Sequence, residues 1–146
     1  MYTIKLKPYF HIHEAFPAAA ELYPGHMVEV TSAEKVQKHS GSGSAAIPMF
    51  AIEDDLQGKD IDEPYASGGQ VFVWIPQRGE RVLAVLADGQ NVSFGDKLES
   101  NGDGTLKAGT SNPIAEARED LDLSGSSGAE EEGVLGYDKR IKVCVL

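Results

Sequence analysis

DGQNVSFGDKLESNGDGTLKAG, residues 88–109, admits two readings. Its Asp, Asn, Ser and Glu oxygens around NGDGT look like part of a calcium loop. Its glycines at 89, 95, 102, 104 and 109 look like the corners of a small β structure. Ligand counting separates the two. With Gly104 at the invariant glycine of an EF-hand loop, Glu99, Asn101 and Asp103 fill the first three ligand places. Lys107 and Thr110 then fall where an oxygen ligand and the bidentate glutamate belong. The glycines are therefore the informative part. Asn101-Gly-Asp-Gly has the residues that a tight hairpin needs for positive φ, and DKLES and GTLKAG flank it as strands.

Outward from this hairpin the chain is a series of short apolar segments broken by turn residues. VFVWIP (71–76) is β-branched and aromatic, and RVLAVLAD (81–88) is its expected antiparallel partner across PQRGE. PIAEAREDLDLS (113–124) has helix-favouring residues. Ile114, Ala115, Ala117, Leu121 and Leu123 also fit period two, and the setting between hairpins favours a strand for at least part of it. RIKVCVL (140–146) is a strong strand, with Ile141, Val143 and Val145 on one face and Lys142, Cys144 and Leu146 on the other. Such a strand pairs, or it leaves an adhesive edge.

Upstream, TIKLK (3–7) alternates like a strand closed by Pro8. HEAFPAAAELYPG (13–25) is mixed, with a turn of helix expected at AAAEL between Pro17 and Pro24. HMVEVTS (26–32) reads as a strand, residues 32–38 as a short helical turn, and 39–46 as a Gly/Ser loop. PMFAIED (48–54) reads as a buried strand, and 54–69 as a long acidic loop of the kind that is functional or mobile. The expected fold is mainly β: a small glycine-cornered barrel or sandwich of about seven or eight short strands, with an extended N-terminal arm and at most one or two short helices. The expected division is an arm over residues 1–23 and one β-rich domain over 24–146.

Composition narrows function. The chain has 146 residues, a formal charge of -10 and an acidic pI near 4.7. That charge repels phosphates, so nucleic acid and anionic membrane surfaces are not expected partners. Cys144 is the only cysteine, so neither an intrachain disulfide nor a Cys-x-x-Cys zinc site is expected. MYTIKLKPYFHIHEAF lacks the pattern of a signal peptide, so synthesis in a cytoplasm is expected.

No enzyme, metal or cofactor pattern emerges. His11 and His13 would share a strand face, yet no third ligand completes a site. The serine-containing loops lack a nucleophile elbow, and Cys144 has no neighbouring base. The carboxylates cluster in loops, 53–55, 60–63 and 130–132, where they are solvated and mutually repelling. Phe72 and Trp74 alternate on one face of residues 71–76, and Val71, Val73 and Ile75 on the other. Both faces are apolar, which suits the centre of a sandwich, or one face given to a subunit partner.

The pattern of PGHMVEV (24–30), PMFAIEDDLQGKDIDEPYASGGQVFVWIPQRGERVLAVLADGQNVSFGDKLESNGDGTLKAG (48–109), PIAEAREDLDLS and RIKVCVL resembles tailed-phage head decoration (capsid cement) proteins. It extends over most of the chain from Pro24 onward. The resemblance implies a non-catalytic β-rich protein on the outer surface of the virion. It would bind the major capsid protein and stabilise the shell, as homotrimers at threefold and quasi-threefold positions. The candidate interface comprises Ile4, Leu6, Tyr9, Phe10 and Phe16 of the arm, together with Phe72 and Trp74. A second expectation comes from DGQNVSFGDKL, whose corner is similar to that of biotinyl/lipoyl-type barrels, making a carrier or small-ligand module the alternative. A carrier needs a lysine at an exposed hairpin tip. Here Lys97 lies at the entry of a strand, and Lys107 follows the NGDGTL turn.

Overall fold

RIKVCV forms strand β12 (Arg140–Val145), which lies between β6 (Arg81–Val85) and β10 (Ala115–Ala117) in a five-stranded antiparallel sheet. Beyond β10 follow β8 (Lys97–Ser100) and β9 (Leu106–Ala108). The fold is that of a computed structural model, which describes residues 12–125 and 139–146, with side chains from residue 14. The alternation of β12 has its expected consequence: Ile141, Val143 and Val145 are buried, and Lys142 is exposed.

The sheet curls around these side chains. Val82, Ala84, Leu98, Ala115 and Ala117 join them in one core with Met27, Phe50, Leu86 and Leu106. The curl brings the two outer strands together at Leu86 and Leu106, which form a one-residue parallel bridge. There the Ala87 N–H donates to the Leu106 carbonyl at 2.8 Å. A single bridge is not a ladder, so the described sheet approaches a barrel without closing into one. The small pair β7 (Asn91–Val92) and β11 (Leu121–Asp122) adds Val92, Leu121 and Leu123 to the same core.

A three-stranded sheet, ordered β1 (Ile12–Pro17), β5 (Gln70–Ile75), β4 (Phe50–Ala51), covers a second core. Val71, Val73 and Ala51 meet Ala18, Leu22, Met49 and Tyr65 there. Val28 and Val36 of the hairpin β2 (Val28–Val30) and β3 (Val36–Lys38) complete it. The cores are linked through Phe50, which belongs to the three-stranded sheet but is buried in the larger core, and pairs with Met27.

The molecule is mainly β, as the sequence implies, and its glycine hairpin is where the sequence puts it. β8 and β9 pair across residues 101–105, with Gly102 at φ 88° and Gly104 at φ 84°. Strands occupy part of residues 113–124 and all of 140–145. Twelve short strands are formed among the described residues, more than anticipated. Residues 113–124 divide into β10 and β11, and β3 stands where a short helical turn was expected. In AAAEL, where the other was expected, Ala18 and Leu22 form isolated bridges to Val36 and Tyr65. In β3 the burial of Val36 decides the matter, and the chain reverses beforehand at Glu34, whose φ is 59°. One 3₁₀ turn, Asp55–Gln57, is the described helical element.

One expected pairing is replaced. Residues 71–76 and 81–88 are not partners. Both edges of β5 are taken by β1 and β4, and β6 pairs with β12. The connection is fastened to β12 instead: the Gly79 N–H reaches the Val145 carbonyl at 2.8 Å, and the Val145 N–H reaches Glu80 at 2.9 Å. Pro76, lacking an N–H, cannot extend the β5 ladder, and the chain changes sheets there. Within residues 1–23, the part from Ile12 onward belongs to the folded body: β1 pairs along its length with β5, and Ala18, Leu22 and Tyr23 are buried. The strand expected over residues 3–7 lies outside the described residues.

Candidate interaction surface

β5 gives its two faces to different neighbours. Val71 and Val73 point into the smaller core, with Phe16 packed at its margin. Phe72 and Trp74 point the other way. Trp74 lies opposite Phe50, packs against the larger core and lines a separate cavity of about 240 Å³ with Ile61, Arg81 and Arg140, so this half of the face is partly covered. Phe72 lies opposite Ala15 on β1, and beyond β4 its carbonyl accepts the Ile52 N–H at 2.9 Å. Ala15, Phe72 and Ile52 thus form one row across the sheet, and no other element covers it among the described residues.

This row is the floor of a cleft of about 400 Å³ whose remaining walls are Leu56, Glu14, Glu53 and Asp55. Leu56 is 83% exposed. The 3₁₀ turn carrying it is closed by Gly58 at φ 70°, whose N–H donates to the Asp55 carbonyl. The cleft therefore joins an apolar floor to a rim of three carboxylates, a combination suited to an aliphatic segment flanked by cations. A second groove, about 260 Å³, runs along β2 beside the loop at residues 45–49. Val30 and Ile47 stand exposed on it, Ile47 at 62%.

Of the residues expected at an interface, Phe72 lines the acidic cleft. Trp74 is half-buried beside it, its indole Nε1 enclosed with no hydrogen-bond partner among the described residues. Phe16 lies on the opposite face of the sheet, so these three do not make one patch. Ile4, Leu6, Tyr9 and Phe10 lie outside the described residues. Leu56 and Ile47 were missed. Their signal was local: a single large apolar residue in an acidic loop, DDLQGKD, and another ending a Gly/Ser loop.

The polar interior serves the fold. Arg140 is buried and donates to the Pro24 carbonyl from Nε (3.3 Å) and Nη2 (2.9 Å), and to the Ile61 carbonyl from Nη2 (2.7 Å). Glu99 accepts the Ser111 and Asn112 N–H groups at 3.1 and 3.2 Å. In the calcium-like stretch, Asp103 accepts the Thr105 N–H at 3.1 Å and its hydroxyl proton as well. Burial pushes the Asp103 carboxyl up, but hydrogen bonds from Thr105 and Asn101 outweigh it, and the group sits below its ordinary value. These oxygens brace a turn. Lys97 pairs with Glu116 across β8 and β10, and Lys107 donates to Ser42 Oγ of the loop after β3 at 2.8 Å, so both ammonium groups have partners within the protein.

Comparison with known proteins adds a fold relative. Neither a protein-family model nor a curated protein matches the chain. Among solved structures, the N base of head fiber gp8.5 in bacteriophage phi29 is similar, with a TM-score of 0.63. The two chains share a fold. The likeness covers 93% of this chain and 94% of that one, at 11% sequence identity. Coverage of that extent makes it a likeness of the fold as a whole and not of a single sheet.

Proposed function

We propose that this protein is a structural, non-enzymatic component of a phage head, which binds the outer surface of the assembled capsid and stabilises it. The observation that carries the reading is the near end-to-end likeness to a phage head fiber base. The resemblance of residues 24–146 to head decoration proteins, drawn from sequence pattern, points to the same setting. The partners in this reading are the major capsid protein and further copies of the chain, as trimers at threefold and quasi-threefold positions on the virion exterior.

The physics of such a role is economical. A protomer that touches two or three capsid subunits gains avidity from contacts that are individually modest. A protein that binds the assembled shell and not its free subunits stabilises the shell by mass action. A charge of -10 on each copy keeps decorated particles apart.

The test uses purified protein and mature particles that lack it. Stoichiometric binding to expanded capsids, with a rise in their heat or chemical resistance, is the expected result. Failure to bind any such particle, or a uniform mass increase on Lys97 or Lys107 from a covalent cofactor, overturns the reading.

A further inference from the structure

We infer that the cleft at Phe72 receives residues 3–7, TIKLK, from a second copy of this chain. The cleft has an apolar floor, Ala15, Phe72 and Ile52, under the exposed Leu56, and a rim made by Glu14, Glu53 and Asp55. TIKLK has the complementary composition. As an extended segment it presents Ile4 and Leu6 on one side and Lys5 and Lys7 on the other. The aliphatic pair fits the floor, and the lysine stems reach over the edge to bring their ammonium groups to the rim.

Charge singles out this occupant. Each chain carries a net -10, so copies repel one another at long range. The first eleven residues hold two lysines and no acidic residue, a local basic element that draws copies together. Turn chemistry assigns the segment to another copy. For its own cleft, the chain would have to reverse tightly within PYFH, residues 8–11, because the floor lies level with Ala15. Residues 1–23 contain no Gly, Asn or Asp. Among the described residues, tight reversals fall at glycines of positive φ, Gly79, Gly89, Gly95, Gly102 and Gly104 among them, with Glu34 the one non-glycine at positive φ. Continued outward from Ile12 in extended form, the five residues back to Lys7 span about 17 Å, enough to enter a neighbour.

The inference concerns the protein alone and is tested without particles, so its failure leaves the capsid reading standing. In a Cys144→Ser background, full-length Leu6→Cys chains are mixed with Leu56→Cys chains that carry a tag of different mass, under mild oxidation. Leu56 is exposed, so its replacement leaves the cores intact; melting curves verify this for each variant. A disulfide-linked heterodimer is expected, its yield falling at least tenfold when the Leu6→Cys chain also carries Lys5→Glu and Lys7→Glu. Absence of the heterodimer, or a yield unmoved by charge reversal, overturns the inference. So does the doubly substituted Leu6→Cys/Leu56→Cys chain closing only on itself at every concentration. Sedimentation supplies a second reading. Lys5→Glu/Lys7→Glu and Glu53→Lys/Asp55→Lys should each weaken self-association, and the combined charge-swapped protein should recover it. If the swap recovers nothing, the proposed pairing is overturned.

Discussion

His26 is buried at the junction of the two cores, where its Nδ1 accepts the Tyr23 N–H at 3.0 Å. Burial, reinforced by the nearby charges of Lys38 and Arg140, pushes its pKa down from 6.5 to about 3. In the unfolded chain the ring keeps its ordinary affinity for protons. Between pH 6.5 and about 3 the unfolded state therefore binds more protons than the folded one. The stability associated with the neutral ring is complete above the upper value and is lost as pH falls, by up to about 1.4 kcal/mol per pH unit. Melting temperature should decline from pH 6.5 to 5, above the range where carboxylates protonate. His26→Asn should flatten that decline; an unchanged slope in the variant would assign the proton uptake elsewhere. This role was not legible in the sequence. HMVEV announces a strand, but one of the charges that holds down the pKa of its first residue is Arg140, more than a hundred positions away.

At the scale of elements, glycine geometry was the clearest signal, because a positive φ is a local property that sequence states directly. Gly104 sits at φ 84°, and a Cβ there would lie 2.9 Å from Cβ of Lys38 on the neighbouring hairpin. Its carbonyl also accepts the Met27 N–H at 2.8 Å, so the turn cannot simply shift. Gly104→Ala should cost about 1–3 kcal/mol, read as a lower denaturant midpoint with unchanged slope. Gly58, at φ 70° but facing open space, should tolerate alanine at a smaller cost, of the backbone term alone. Strand identity was legible for β8, β9 and β12 for the same local reason. Strand partnership was not. That β5 and β6 are adjacent in sequence says nothing of which edges β1, β4 and β12 have already occupied. The one clue was that both faces of VFVWIP are apolar, which called for cover from two directions. The cleft escaped notice for a related reason: Ala15, Ile52, Leu56 and Phe72 come from three stretches of chain that only the sheet brings together.

The molecule as a whole is coupled through a few residues that belong to one sheet and pack in the other's core. Phe50 and Met27 are such a pair, and both are fully buried. Unfolding should therefore proceed as one transition, with calorimetric and van't Hoff enthalpies in agreement; two resolved transitions would mean that the cores melt separately. Leu106, fully buried at the bridge to Leu86, tests the curl of the large sheet. Leu106→Ala should cost about 2–5 kcal/mol, and the loss should appear in that same single transition. The central place of β12 has a further consequence, for the order of events during synthesis. β6 and β10 both precede it, and neither gains its β12 partner until residues 140–145 have emerged from the ribosome. Until then a nascent chain presents two unsatisfied strand edges and an incomplete apolar lining. Such a chain acquires its structure late and all together, and while it waits it is a substrate for chaperones.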